Sequence, residues 1–167
     1  PDVAYDLVVA IGTLDTVNDL PLALRSIRLA MRPDSLFIGA LSGGDTLPQL
    51  RQAMRAADQV TGGASPHVHP RIEASALAHL LSGAGFAMPV VDVDRVQVSY
   101  ATLDRLVSDL RRMGATNVLA GRPRRPLSRD AREAALEAFA RAGDGLRTTE
   151  TYEILHFAAW APAAKQS

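Results

Sequence analysis

Short runs of apolar residues predict the strands of this chain. Residues 5–11 (YDLVVAI) and 36–41 (LFIGAL) are almost continuously apolar, which is typical of parallel strands buried on both faces. Residues 91–100 alternate between apolar and polar positions, and the alternation changes phase at Asp94-Arg95, where we expect a bulge or a sharp bend. A last strand is predicted at residues 152–160. The last two strands are the more amphipathic ones, which is typical of an antiparallel pair at an edge.

Helices are predicted between the strands, from apolar residues at helical spacing and from their capping residues. Asp19 caps the first helix, and Gly62-Gly63 ends the second. Thr102 caps the fourth helix, and Ser128 caps the last one, which we place at residues 129–141. The order is strand, helix, strand, two helices, strand, two helices, strand. This order indicates an α/β fold with helices on both faces of the sheet.

The first predicted strand lies within the first eleven residues, and no glycine-rich nucleotide loop precedes it. A strand that is buried on both faces needs neighbours on both sides. We therefore expect this chain to be the C-terminal half of a larger fold whose N-terminal half is absent from the 167 residues. A free sheet edge at this strand predicts aggregation or a homodimer formed through that edge.

The composition is that of one globular domain, so we expect a single, partial domain over residues 1–167. Eighteen basic residues balance eighteen acidic ones, which gives no indication of a nucleic-acid or membrane partner. No apolar run reaches the roughly 20 residues of a membrane span. The chain has no cysteine, which excludes disulfides, thiolate metal sites and a cysteine nucleophile, and which is typical of a reducing interior.

Several motifs resemble the C-terminal half of class I methyltransferases. Residues 5–9 (YDLVV), 18–21 (NDLP) and 32–37 (RPDSLF) resemble the fourth strand, the following helix and the fifth strand of that fold. Residues 83–86 (GAGF) resemble the turn before its sixth strand. The resemblance implies a Rossmann-like fold, S-adenosylmethionine as the cofactor and a transferase activity. The family's G-x-G loop and its ribose-binding acidic residue have no counterpart in this sequence.

A narrower resemblance points to one subfamily. Residues 43–47 (GGDTL), 61–63 (TGG) and 109–117 (DLRRMGATN) are similar to the methyltransferase-like assembly factors of respiratory complex I. The methyltransferase of biotin synthesis that esterifies malonyl-acyl carrier protein is a more distant relative. The resemblance covers nearly all of the chain, and the MGATN run is its most specific part.

The resemblance also implies a site beyond the carboxyl ends of the first two strands, where ligands bind in open α/β sheets. The residues that it places along the cofactor are Ala10, Ile11, Gly12 and Leu14. Asp15 is the candidate catalytic residue, which would orient an acceptor hydroxyl or amine or take its proton. The alternative is that Asp15 is a solvated turn residue or a helix cap. Family members usually carry His-Trp where this sequence has Asp15-Thr16.

The substrate side of the site is expected from the subfamily motifs and from an insertion. Asp45, Arg111 and Asn117 are the candidate substrate-binding residues. Residues 101–147 form a predicted helical insertion at the place where class I methyltransferases cover the substrate. Its basic stretch at residues 122–126 (RPRRP) would meet an acidic carrier protein or a partner subunit, and the alternative is a solvated loop.

Two further patterns give weaker predictions. Gly43-Gly44-Asp45-Thr46 resembles a phosphate cradle but lacks the lysine and the spacing of a P-loop, so we expect it to shape one wall of the site. His67-x-His69 with Glu73 suggests a metal site. Because no third ligand is fixed by the spacing, we interpret this stretch as a polar loop and predict no metal.

Three functions are compatible with these residues. The first is a methyltransferase that transfers the methyl group of S-adenosylmethionine to a small-molecule or carrier-bound acceptor, or to a protein. The second is an assembly factor for complex I, linked to arginine hydroxylation. The third is a non-catalytic interaction module, which the Asp15-Thr16 departure favours. We expect a cytoplasmic location, with the mitochondrial matrix as the alternative that the resemblance implies.

Overall fold

The computed structural model describes residues 5–164, and the chain divides into two compact units. Unit 1 comprises the residues up to Gly44, then Arg71–Arg95, and the residues from Glu153 onward. Unit 2 comprises Asp45–Pro70 and Val96–Tyr152. The predicted insertion at residues 101–147 therefore lies within unit 2, together with residues 45–70.

The predicted order of strands and helices is confirmed. In chain order the elements within residues 5–164 are β1 (Tyr5–Ile11), α1 (Leu20–Ala30), β2 (Met31–Ser42), α2 (Pro48–Thr61), α3 (Ala74–Gly83), β3 (Ala87–Tyr100), α4 (Leu103–Arg112), α5 (Arg129–Arg141) and β4 (Thr148–Trp160). The strand β3 is continuous through Asp94-Arg95, where the alternation changes phase and where the chain passes from unit 1 to unit 2. None of the helices in the described part of the chain is long and apolar enough to cross a membrane.

The caps expected from the sequence form local hydrogen bonds. The Asp19 carboxylate accepts a hydrogen bond of 2.8 Å from the backbone N–H of Leu22. The hydroxyl groups of Thr102 and Ser128 each accept a hydrogen bond of 3.3 Å from the N–H three residues later. These bonds satisfy backbone donors that have no partner within their own helix, which is why the helices begin where they do.

The four strands form one sheet in the order β1-β2-β4-β3. β1 pairs with β2 in parallel, and Val9 lies opposite Ile38. β2 pairs with β4 in the antiparallel direction, and Leu41 lies opposite Leu155. The predicted parallel pair is confirmed. Of the last two strands, which were expected to form an antiparallel edge, β3 lies at an edge of the sheet and β4 lies inside it.

The core of unit 1 packs α1 and α3 against one face of this sheet. Phe37 of β2 has its ring 5.1 Å from the ring of Phe86 and 4.9 Å from that of Phe157, measured between centroids. Leu24 of α1 and Leu77 of α3 are fully buried in the same cluster. Gly39 is required here, because a Cβ atom would approach the Phe157 ring to 2.6 Å.

The prediction that β1 is buried on both faces is wrong. Its alternate side chains Tyr5, Leu7, Val9 and Ile11 are between 51% and 71% exposed, although Ala10 on the opposite face is buried. The physical reason is position, because β1 lies at one edge of the sheet formed by residues 5–164 and the core of unit 1 covers only one of its faces. The register places Leu36 and Ile38, which are half-buried, beside Leu7 and Val9. We call Leu7, Val9, Ile11, Leu36 and Ile38 the open face.

The open face predicts self-association of the 167-residue protein, as does the free edge of β1. Contiguous exposed apolar surface beside unpaired strand atoms favours pairing with another chain. We expect sedimentation velocity to give a mass above the 17.8 kDa of one chain. The double substitution Val9→Lys and Ile11→Lys should restore the monomer. Leu29→Lys, which replaces an exposed leucine of α1, is the control and should change nothing. A monomeric wild-type protein would contradict this expectation.

Unit 2 has a separate core made by α2, α4 and α5. Small residues line the contact between α2 and α5, and Ala53, Ala57, Ala131 and Ala135 are fully buried. Leu106 of α4 is also fully buried, as the helical spacing predicts. Alanine at these positions lets the helix backbones approach closely, since no larger side chain separates them.

Candidate functional site

The end of β1 and the loop after it contain the residues that were expected to lie along a cofactor. Gly12 adopts a left-handed backbone (φ 65°), and its N–H donates a hydrogen bond of 2.9 Å to the carbonyl of Ala40. Ile11 and Gly12 are exposed, whereas Ala10 and Leu14 are buried in the core of unit 1. The side chains of Ala10 and Leu14 are therefore packing residues, and only Ile11 and Gly12 present surface to a ligand.

Asp15 fastens this loop to the end of β2. Its Oδ1 accepts a hydrogen bond of 2.8 Å from the N–H of Ser42 and one of 2.7 Å from Nη1 of Arg71. The side chains of Asp15 and Arg71 are each only 13% exposed. Asp19 caps α1, so the alternative that Asp15 is the helix cap is wrong, and its burial also contradicts a solvated turn residue.

A second buried carboxylate lies near the end of β2. Glu153 of β4 is almost fully buried and pairs with Nη2 of Arg95 at 2.6 Å. The backbone carbonyl of Glu153 accepts a hydrogen bond of 2.9 Å from the N–H of Gly43. A Cβ atom on Gly43 would overlap the Glu153 side chain, and one on Gly44 would overlap the Glu73 carboxylate. The two glycines therefore make room for carboxylates, which is unfavourable for a phosphate because like charges repel.

These side chains form one group, which we call the polar cluster: Asp15, Arg71, Glu73, Arg95 and Glu153. It lies at the carboxyl ends of β1 and β2, within unit 1. It offers carboxylate oxygens as hydrogen-bond acceptors and guanidinium groups as donors beside the exposed Ile11 and Gly12. The sequence pointed only to Asp15 as a catalytic group. The other four residues come from distant segments of the sequence. The pair Gly43-Gly44 was the one local sign that other side chains pack closely against this loop.

The candidate substrate-binding residues all lie in unit 2. Asp45 is exposed just before α2, and Arg111 is exposed in the last turn of α4. Asn117 is half-buried, and its Nδ2 donates hydrogen bonds to the carbonyls of Pro66 (2.7 Å) and His67 (3.1 Å). Asn117 therefore ties its own loop to the loop that precedes Arg71.

The two histidines of this loop have separate partners. Nε2 of His67 lies 2.8 Å from Oδ1 of Asp58, and Nε2 of His69 accepts a hydrogen bond of 3.1 Å from the N–H of Val118. Across residues 5–164, no group of three or more histidine, aspartate or glutamate side chains could hold a metal ion. These contacts agree with the interpretation of this stretch as a polar loop.

Glu150 in unit 2 is a buried carboxylate that the sequence did not indicate. It is fully buried, and its oxygens accept hydrogen bonds from the N–H groups of Leu50 (2.5 Å) and Gln49 (3.3 Å). The residue before α2 is Leu47, whose side chain cannot cap the helix. Burial raises the pKa of Glu150, and the backbone N–H donors act in the opposite direction. Glu150 is thus the N-terminal cap of α2, supplied from 100 residues away.

The chain is similar in sequence to two groups of proteins. It is 39% identical over 163 residues to the mitochondrial arginine-hydroxylase NDUFAF5 of Rattus norvegicus, a match that covers 96% of this chain and 47% of the relative. It is 34% identical over 162 residues to the malonyl-[acyl-carrier protein] O-methyltransferase of Laribacter hongkongensis, covering 97% and 53%. The chain therefore spans about half the length of these relatives. Both resemblances predicted from the sequence are confirmed. No protein-family model matches the chain.

The fold is also shared with solved structures. A candidate methyltransferase from Bacillus halodurans superimposes with a TM-score of 0.55 at 9% sequence identity, covering 97% of this chain and 66% of that protein. At this identity the likeness concerns the fold alone. The predicted class I methyltransferase fold is confirmed.

Proposed function

We propose that this chain forms the acceptor side of an S-adenosylmethionine-dependent methyltransferase. The observation that carries the proposal is the polar cluster at the carboxyl ends of β1 and β2, on a class I methyltransferase fold. Ligands of open α/β sheets bind at this edge. The sequence similarity to a malonyl-[acyl-carrier protein] O-methyltransferase supports the same reaction.

The residues present fit part of the cofactor. The exposed Ile11 gives apolar contact area for an adenosyl group, and Gly12 lets a ligand approach the backbone because it has no side chain. Ala10 and Leu14 would not contact the cofactor with their side chains. Their packing in the core would fix the position of the backbone next to it. When bound, S-adenosylmethionine supplies a methyl group on a positively charged sulfonium.

Asp15 would position the acceptor. Its Oδ1 is occupied by Ser42 and Arg71, so Oδ2 is the oxygen that would accept a hydrogen bond from the acceptor hydroxyl or amine. Because both partners fix the carboxylate, the acceptor would be held in one orientation, which is the main requirement of an in-line methyl transfer. Asp45 and Arg111 stay candidate acceptor-binding residues. Asn117 would hold the loop of the predicted insertion in its conformation.

Arginine hydroxylation is the second candidate. It is favoured by the 39% identity to the rat arginine-hydroxylase NDUFAF5, against 34% to the methyltransferase. Glu73, an exposed carboxylate of the polar cluster, is a suitable partner for a substrate guanidinium. The name of that relative also places it in mitochondria, which favours the mitochondrial matrix over the cytoplasm for this second function.

One product analysis separates these functions. The protein is incubated with S-adenosylmethionine carrying an isotope-labelled methyl group, and with malonyl-acyl carrier protein or an arginine-containing peptide as the acceptor. Methyl transfer predicts labelled product that gains the mass of one methylene group. In a parallel reaction of the arginine-containing peptide with molecular oxygen and a two-electron reductant, a gain of one oxygen atom, with the second oxygen atom released as water, would support hydroxylation instead. If S-adenosylmethionine binds but neither acceptor gives a product, both catalytic functions are overturned. The non-catalytic interaction module is then the remaining function.

A further inference from the structure

A groove on unit 2 lies outside the site described above. It runs between α2 and α5, has a volume of about 390 Å³, and is lined by Gln52, Arg55, Ala56, Gln59, Ala138 and Arg141. All of these residues belong to unit 2. The two alanines leave the floor shallow, so the backbone of a bound segment can approach the helices.

The groove carries positive charge that the protein neutralises only weakly. Arg55 is exposed, and no carboxylate within residues 5–164 pairs with it. In the described part of the chain Arg141 has one carboxylate partner, Glu137, at 3.8 Å, and both side chains are more than 60% exposed. Its Nε also donates a hydrogen bond of 3.4 Å to the backbone carbonyl of Glu137. Exposed pairs of this kind contribute little, since water screens them. The two guanidinium groups are therefore available to an acidic ligand.

A second groove lies beside this one, and its lining carries both signs of charge, Arg51 and Arg55 together with Asp58. This smaller groove of about 150 Å³ shares Arg55 and is lined by residues 65–68 among others. Asn117 ties that segment to the loop that leads into the basic stretch at residues 122–126. Unit 2 as a whole contains twelve arginines against nine aspartates and glutamates. The charges balance over the whole chain, but unit 2 has an excess of positive charge.

We propose that the groove between α2 and α5 binds an acidic segment of a protein partner. Arg55 and Arg141 pair with the partner's carboxylates, and Gln52 and Gln59 form hydrogen bonds with its backbone or side chains. No aromatic residue lines the groove. Single-stranded nucleic acid is therefore a poorer occupant, because its bases bind by stacking on aromatic rings.

The test uses a fluorescein-labelled helical peptide with glutamates at every fourth position, and a matched peptide with glutamine instead. Fluorescence anisotropy should show that the protein binds the glutamate peptide more tightly. The double substitution Arg55→Gln and Arg141→Gln should weaken binding about fivefold to tenfold. The control Arg25→Gln and Arg129→Gln changes the net charge equally at exposed positions outside the groove and should leave binding unchanged.

Three outcomes would overturn the proposal. The first is equal weakening by both double substitutions, which would indicate a general charge effect. The second is displacement of the peptide by inorganic phosphate at the same concentration, which would indicate a small-anion site. The third is tighter binding of a single-stranded oligonucleotide than of the glutamate peptide. Circular dichroism of each variant separates loss of binding from loss of folding.

Discussion

Replacing Glu150 with alanine is expected to lower the free energy of unfolding by about 3 kcal/mol. The substitution removes a fully buried carboxylate and leaves the N–H groups of Gln49, Leu50 and Thr151 without their acceptor. Because Gln49 and Leu50 lie in the first turn of α2, the helix loses its cap. Urea unfolding of the wild-type and variant proteins measures the difference.

Two further variants define the cause. Glu150→Gln keeps the size of the side chain and one acceptor oxygen, so we expect about half of the loss. Glu133→Ala removes an exposed carboxylate of α5 and should change the unfolding free energy by less than about 0.5 kcal/mol. Equal effects of Glu150→Ala and Glu133→Ala would show that the buried cap has no special role.

The raised pKa of Glu150 also predicts a pH dependence. Since burial raises the pKa above the ordinary value of 4.5, folding shifts the protonation equilibrium of Glu150 toward the neutral form. The contribution of this group to stability is therefore complete below pH 4.5 and is lost as the pH rises through the folded pKa. The stability of the wild type relative to Glu150→Gln should fall as the pH rises above 4.5. A relative stability that increases with pH would contradict this sign.

Replacing Asp15 with alanine is expected to cost about 2–3 kcal/mol and to abolish positioning of the acceptor. The substitution leaves the largely buried guanidinium of Arg71 without this carboxylate and removes the acceptor of the Ser42 N–H. Asp15→Asn keeps an acceptor for Ser42 and should cost less. Urea unfolding measures the stability, and the rate of product formation measures the function.

The pair Asp6 and Arg32 provides a matched control. Its atoms are also 2.7 Å apart, but the two side chains are 75% and 52% exposed. Asp6→Ala should therefore cost less than about 0.5 kcal/mol. A double-mutant cycle of Asp15→Ala with Arg71→Ala should give a coupling of about 1–2 kcal/mol. The importance that we assign to the buried pair would be refuted by a coupling near zero.

The features that the sequence predicted correctly depend on neighbours a few residues apart. Asp19, Thr102 and Ser128 each cap a helix through a hydrogen bond to the third following residue, so a short window contains all of the information. The apolar run of β1 did not indicate, in the same local way, how the strand is buried. Its hydrophobicity shows that the strand prefers contact with other apolar groups, but not which of its two faces is covered.

The candidate site shows the same difference between features that depend on nearby residues and features that depend on distant ones. Asp15 was found because it lies in the loop after β1, where the family resemblance places the site. Its partner Arg71 is 56 residues away, and Glu150 caps a helix 100 residues earlier in the chain. Nothing in the local pattern distinguishes these charged residues from solvated ones, because their burial arises only when the chain has folded.

Calorimetric titration of the protein with S-adenosylmethionine tests the central claim most directly. The claim is that the loop held by Asp15, at the carboxyl ends of β1 and β2, forms part of the cofactor site. We predict detectable binding that is equal in the wild type and Asp6→Ala, and about tenfold weaker in Asp15→Ala because the loop that begins at Gly12 is released. No binding by the wild type, or equal binding by all three proteins, would contradict the claim.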